Sequence, residues 1–247
     1  MTSAGVKNQI KLSVIIPSYK DPLLHKTIDS LLEQSGLGDA LEIIPILDGY
    51  TPEEPIVADS RVRPLYLGGN VGMREAINTG VKMSRGEYLM RTDEHACFGD
   101  RYDLIVTSQM EDNWIVTPRR YFLDTKKWEV MDLPAVDAMK LKIVRVGNEK
   151  EGMVEKFSGV IWKIPELKDT PIHEIAAMQG SCWFMKKSWW EHAIVALESE
   201  GYGTHYGDSH EMVFKTWRKG GKLMVNKNTW HAHKHRSFPR THGYGGQ

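Results

Sequence analysis

In the first hundred residues, short β-branched apolar runs alternate with stretches whose apolar residues recur at helical spacing. Lys11–Pro17 (KLSVIIP) and Leu41–Leu47 (LEIIPIL) read as buried strands, Arg63–Leu67 as a third and Tyr88–Arg91 as a fourth. Between the first two, Asp21-Pro22 opens a helix carrying Leu23, Leu24, Ile28, Leu31 and Leu32, with Gly36 beyond its end. Between the third and fourth, Asn70-Val71-Gly72 leads into a second helix, Met73–Ser84, closed by Arg85-Gly86. Strands and helices in this alternation imply right-handed crossovers and an α/β domain around a mostly parallel central sheet. Ligands of such sheets sit beyond the carboxyl ends of the strands. Those ends carry Pro17-Ser18-Tyr19, Asp48-Gly49 and Asp93-Glu94-His95, so all three are expected to line one crevice.

Beyond Asp100 the pattern loosens. A helix is expected over Tyr102–Met110 and a strand over Trp114–Pro118, followed by strand-like pieces at Trp128–Val130, Lys142–Val146 and Val160–Ile164. Met178–Met185 reads as a strand, Lys187–Glu200 and Ser209–Arg218 as helices, and Leu223–Val225 as a last strand. No repeat or linker divides the chain, which predicts a single domain.

Charge narrows the functional classes. The 32 basic and 32 acidic residues cancel, which excludes a polycation held to nucleic acid by bulk charge. From Gly201 onward, however, eight basic residues face two acidic ones, and six of the ten histidines lie there, a pattern suited to a local anion such as phosphate. No run approaches the ~20 apolar residues of a membrane span, and the first residues lack a signal-peptide core. Two cysteines, Cys97 and Cys182, exclude a disulfide framework, so a cytoplasmic location is the expectation.

Four segments hold residues that carry chemistry. At an extended strand end, Asp93 and His95 share one side, and an oxygen with an imidazole nitrogen suits Mn²⁺ better than Mg²⁺. The plain alternative is a polar loop with His95 bonded locally. In Trp230–Arg236, alternation groups His231, His233 and His235, any of which offers a third ligand. Asp208 with Glu211 three residues later forms a capping-box pattern, and Glu211 is spaced to pair with Lys215. At a helix head opening into the crevice, Asp208 is alternatively a general base. The glycine-rich turn Leu67–Arg74 offers backbone N–H groups to an anion, without the ending of a P-loop.

The order of these motifs resembles the family 2 glycosyltransferases of the GT-A fold. Leu12–Tyr19, Ile46–Thr51, Gly72–Gly80 and Arg85–Leu89 are similar to successive stretches of that family, and Asp93-Glu94-His95 stands where its Asp-x-Asp motif lies. The Asp-x-His form is that of the polypeptide N-acetylgalactosaminyltransferases. Their Trp-Gly-Gly-Glu-Asn-x-Glu block is similar to His205–Gly221, with Asp208 and Glu211 on its acids, and their His-x-x-Arg falls on His233 and Arg236. Two departures stand out: Leu47 replaces the first of two aspartates, and Ile77 replaces a usual arginine, for which Arg74 is the substitute.

The resemblance implies a GT-A, Rossmann-like αβα sandwich over residues 11–236. Residues 11–98 form its nucleotide-binding half and 99–236 its acceptor and metal half, between a disordered lead (1–10) and a flexible tail (237–247). It implies a divalent metal, Mn²⁺ ahead of Mg²⁺, on Asp93, His95 and His233. A nucleotide-sugar donor, a UDP-sugar first, is expected against Pro17, Ser18, Tyr19, Asp48, Asn70, Arg74, Thr92, Asp93, Gly180 and Arg236. Asp208 and Glu211 are the expected catalytic acids, with Asp208 as base for an inverting transfer. For the acceptor, Tyr121, Phe122, Trp128, Phe157 and Trp162 lie among Arg119, Arg120, Lys126 and Lys127, a mixture that stacks sugars or bases. The acceptor is thus a glycan or, as the lesser expectation, a hydroxylated base in phage-type DNA. Alternatives of other classes are a sugar-nucleotide nucleotidyltransferase, whose glycine-rich signature Ser18–Asp21 lacks, and a binding module without chemistry.

Overall fold

The computed structural model describes residues 9–148, 152–200 and 207–235. Its strands are β1 Leu12–Ser18, β2 Leu41–Leu47, β3 Leu65–Tyr66, β4 Tyr88–Thr92, β5 Ala96–Phe98, β6 Trp114–Asp124, β7 Glu129–Val130, β8 Met139–Asn148, β9 Gly152–Ile161, β10 Ile172–Glu174, β11 Cys182–Lys186 and β12 Lys222–His233. The helices are α1 Leu24–Glu33, α2 Met73–Met83, α3 Tyr102–Gln109, α4 Lys187–Trp189 and α5 Asp208–Arg218. The main sheet runs β10-β12-β6-β11-β4-β1-β2-β3, and four of these seven neighbouring pairs are parallel. β11 lies antiparallel to both neighbours. The hairpin β8–β9 forms a separate two-stranded sheet.

The core occupies both faces of the sheet because side chains alternate along each strand. Ile15, Ile44 and Ile46 point to one face, where Ala76, Ile77 and Val81 of α2 and Met212 and Val213 of α5 cover them. Val14, Ile16 and Ile43 point to the other, under Leu24, Ile28 and Leu31 of α1 and Tyr102 and Val106 of α3. Each such aliphatic contributes ~1.5–3 kcal/mol by leaving water. Gly80 lets α2 approach β1: a Cβ there would lie 2.5 Å from the Ile15 side chain. α1 also fixes β5, since Thr27 and Ser30 accept the N–H groups of Ala96 and Phe98 at 3.1 Å each. This clamp sets the position of the adjoining His95.

Several elements depart from the sequence reading. β6 continues past Pro118 to Asp124, and β12 continues past Val225 to His233. Proline cannot donate to a ladder, and the β6–β12 register shifts between Asn226, opposite Pro118, and Trp230, opposite Arg119, after which pairing resumes. The expected helix over Lys187–Glu200 stops after one turn and a π turn at Trp190–Ile194, with Val195 at φ +65°. Its freed carbonyls find side-chain donors instead: Lys215 Nζ reaches Ala196 O at 2.6 Å, and Asn78 brackets Leu197 through both its N–H and its carbonyl. The expected strand over Met178–Met185 begins only at Cys182 and runs one residue further, to Lys186. Among the described residues, no helix is long and apolar enough to cross a membrane.

Candidate active site

β4 delivers Asp93 and His95 to the crevice, and the end of β12 delivers His233, which pairs with Ala96 across β5. Nε2 of His233 lies 2.8 Å from Asp93 Oδ2, and Nε2 of His95 lies 4.0 Å from the same oxygen. One ligand atom from each of the three residues falls within 4.8 Å of the others. Nδ1 of His95 meets Asp21 Oδ2 at 3.0 Å, so a carboxylate turns the imidazole and leaves Nε2 facing inward. Arg91, buried on β4, donates to Asp93 Oδ1 at 2.6 Å and to the Gly180 carbonyl. Burial alone would raise the pKa of Asp93, but Arg91 and His233 outweigh it and hold the carboxyl well below the usual range. Burial pushes His233 down to about 4 against the pull of Asp93, so the ring is neutral at pH 7, as a metal ligand must be. Two imidazole nitrogens and a carboxylate, oriented by Asp21 and Arg91, fit a borderline divalent ion such as Mn²⁺.

Glu94, in the bend between β4 and β5, lies beside Asp21 and His95, the three offering ligand atoms within 4.8 Å of one another. It accepts the Tyr19 N–H at 3.0 Å, and burial, then Asp21 and Asp93, push its carboxyl up to about 8. Ser18 bonds the Tyr50 hydroxyl, and Tyr19 and Tyr50 meet edge to face at 6.2 Å. Pro17, Ser18 and Tyr19 thus border the crevice. A cavity of about 540 Å³, lined by Lys20, Asp21, His25, Tyr50 and Glu54 among others, adjoins the cluster through Asp21.

Other expected residues are engaged inside the fold. Asp48 accepts the N–H groups of Val71 at 2.7 Å and Gly72 at 2.9 Å, and its carbonyl accepts Asn70 Nδ2 at 3.4 Å. The glycine-rich turn therefore spends these helix-head donors on Asp48, not on an anion, and Asp48 serves as its anchor. Gly49 makes this crossing possible: a Cβ there would lie 2.4 Å from the Asn70 nitrogen. Thr92 is fully buried, its hydroxyl 3.3 Å from the Asp93 carbonyl.

At the head of α5 the capping box does not form. Gly207 is the cap, at φ +95°, and no side chain caps the helix. Asp208 is buried, with Oδ2 unpartnered, and a Cβ on Gly180 would lie 3.5 Å from that oxygen. Burial raises its pKa, against Arg91, the Ser209 N–H and Arg74, with Asp93 adding to the rise. Glu211 differs. Its oxygens take Arg74, Lys215 Nζ at 2.7 Å and the Glu198 N–H at 3.1 Å. Arg74 also donates to the Glu198 carbonyl at 3.1 Å. Arg74 and Glu211 are thus paired with each other, and burial makes each the other's counter-charge. Arg236 lies outside the described residues.

The sequence reading missed Arg91 and Asp21. Arg91 is two residues before Asp93 on the same strand, so alternation would have found it; Asp21 was read as a helix opener. The aromatics of the middle segment scatter: Tyr121 packs on Trp230, Phe157 on Phe214, Trp162 on the core, and Phe122 on His235.

Residues 13–193 match the model of glycosyl transferase family 2, so the chain belongs to that family of sugar-transferring enzymes. The uncharacterized glycosyltransferase EpsJ of Bacillus subtilis (strain 168) is 38% identical over 98 residues, 37% of this chain and 26% of that protein. The crystal structure of GalNAc-T7 with UDP, GalNAc and Mn²⁺ superimposes with a TM-score of 0.69 over 98% of this chain and 47% of that chain, at 15% identity. That likeness is one of fold, the GT-A fold. The chain spans about a quarter of the EpsJ relative and about half of the GalNAc-T7 chain.

Proposed function

We propose that the protein transfers a glycosyl group from a nucleotide-sugar, a UDP-sugar first, to an acceptor hydroxyl, with a divalent ion on Asp93, His95 and His233. The observation that carries this reading is the convergence of three ligand atoms, from segments 140 residues apart, beside the unpartnered Oδ2 of Asp208. The UDP and Mn²⁺ named for GalNAc-T7, which shares the fold, support the choice of donor and metal. When bound, such an ion neutralises charge on the leaving diphosphate.

The chain's own residues supply the remainder. Asp21 fixes the His95 ring, Arg91 fixes Asp93, and Pro17, Ser18 and Tyr19 border the space for the base. Asp208 takes the proton of the acceptor hydroxyl at Oδ2 as the new bond to the anomeric carbon forms and the bond to the diphosphate oxygen breaks. Its raised pKa makes it a stronger base than an exposed carboxylate. Attack opposite the leaving group inverts the anomeric centre. A glycan is the first acceptor class, and a hydroxylated DNA base the second.

Incubation with a panel of nucleotide-sugars and Mn²⁺ tests this, read as release of the nucleoside diphosphate. One donor is expected to yield UDP, slowly with water alone and faster with acceptor, and EDTA to stop it. UDP binding without release from any donor would mark a binding module, and pyrophosphate release from a nucleoside triphosphate a nucleotidyltransferase. The anomeric configuration of the product, read by NMR, decides inversion.

A further inference from the structure

Arg120 is a buried cation for which the proposed reaction so far has no use. It lies on β6 opposite His231 of β12, 8% exposed. Alternation along the two strands turns Arg120 and Phe122 to the same side as His231 and His233. Its guanidinium donates through Nη1 to Nε2 of His235 and lies over the Phe122 ring, 5.1 Å from the centroid. Its Nε is buried and unpartnered. Among the described residues no carboxylate pairs with it, whereas the neighbouring Arg119 holds Asp137 through two bonds of 2.6 and 2.7 Å. Outside those residues the sequence contains only two acidic side chains, Glu149 and Glu151, both between β8 and β9.

An arginine keeps its proton, so a buried guanidinium without a counter-charge is costly unless an anion completes it. Burial pushes Arg120 down to about 10, with no acid pulling it back. Its charge reaches His231, His233 and His235, disfavouring the protonation of each. His231 meets Ser181 Oγ at 3.2 Å and adds no negative charge. The vacant guanidinium donor and the third metal-ligand candidate thus belong to one wall of the crevice.

We infer that Arg120 binds an oxyanion of a substrate, a phosphoryl or carboxylate group, beside His233. This deepens the transferase reading of the same crevice and rests on it. Two sources present that chemistry: the diphosphate of the donor, and a charged acceptor.

Calorimetric titration with inorganic pyrophosphate and with UDP, each with and without Mn²⁺, and with Mn²⁺ alone, tests the assignment in Arg120→Gln and Arg120→Lys. If the donor is the source, Arg120→Gln weakens pyrophosphate and UDP by ~10–100-fold, the scale of a lost charge-assisted bond, and leaves Mn²⁺ alone unchanged. Arg120→Lys, keeping the charge without the fork, recovers part of the loss. If the acceptor is the source, UDP affinity stays and KM rises only for acceptors bearing carboxylate or phosphate. Equal affinities and equal KM values for all ligands overturn the inference. So does a loss for pyrophosphate that a loss for Mn²⁺ alone matches, and so does a wild-type protein that binds none of these oxyanions. Should Arg120→Gln fail to fold, Arg120→Lys decides: pyrophosphate affinity and acceptor KM both unchanged from wild type also overturn it. A wild type that ignores Mn²⁺ yet binds pyrophosphate through Arg120 breaks the metal reading and leaves this one standing.

Discussion

The head of α5 divides between two regions that look alike in sequence and differ in partners. On the crevice side, Asp208 is buried with one oxygen unbonded. One turn on, facing α2 and the Glu198 segment, Glu211 is equally buried and bonded to Arg74, Lys215 and a backbone N–H. A buried carboxylate costs free energy unless its bonds are made. The framework side makes them within the chain, and the crevice side leaves one for something else. Asp48 and Glu42 sit with Glu211 in this division, while Asp93 and Asp21 meet the crevice with both oxygens bonded, one of each to a histidine of the cluster.

That contrast is broken most directly at Asp208. Asp208→Asn is expected to lower kcat by ~10²–10⁴-fold while UDP affinity stays. Because burial raises the folded pKa of Asp208, the ionised group destabilises the fold as pH rises through that value, so the variant's Tm at pH 7, measured in EDTA, is expected to equal or exceed wild type. A lowered Tm with unchanged kcat would move Asp208 to the framework side. Glu211→Gln, removing the carboxylate that faces Arg74, is expected to cost about 3–5 kcal/mol in denaturant unfolding and roughly 6–20 °C in Tm. A stable but inactive Glu211→Gln would return Glu211 to catalysis.

Asp21→Asn sharpens the division, since Asp21 bonds the three-residue cluster through His95. Its Mn²⁺ affinity is expected to fall ~10–100-fold, as for other lost supports of a ligand histidine, with Tm near wild type. The smallest effect falls on Glu42, which Ser13 and Arg63 hold at 2.7 and 3.0 Å. Burial raises its pKa, but bonds from Ser13, the Arg85 N–H and the Arg63 and Arg85 side chains lower it further, so the folded value lies below 4.5. Stability from Glu42 is therefore present above pH 4.5 and lost as pH falls through the folded value. Unfolding curves of Glu42→Gln should differ from wild type at pH 7 and converge with it on acidification below 4.5.

Most of the chain up to α3 was legible because its signals are local. β2 and the start of α2 fall on their expected residues, and β1, α3 and β4 within one residue at each end. β6 and β12 outran their expected ends because pairing across a bulge overrode the stop signal of Pro118. The helix after Lys187 was cut short by Lys215 and Asn78, donors no local pattern reveals. Asp93, His95 and His233 were legible through alternation and motif order. Arg74, Asp48 and Glu211 carry similar signals, and only the three-dimensional structure shows that they also bond one another or the backbone.

The strand that supplies His233 is the final one described, and the residues it joins were made 140 positions earlier. The residues of the proposed ion site are therefore made far apart in the order of synthesis, and the site stays incomplete until β12 has followed β4. On the proposed reading, transfer waits until that strand has slotted between β10 and β6.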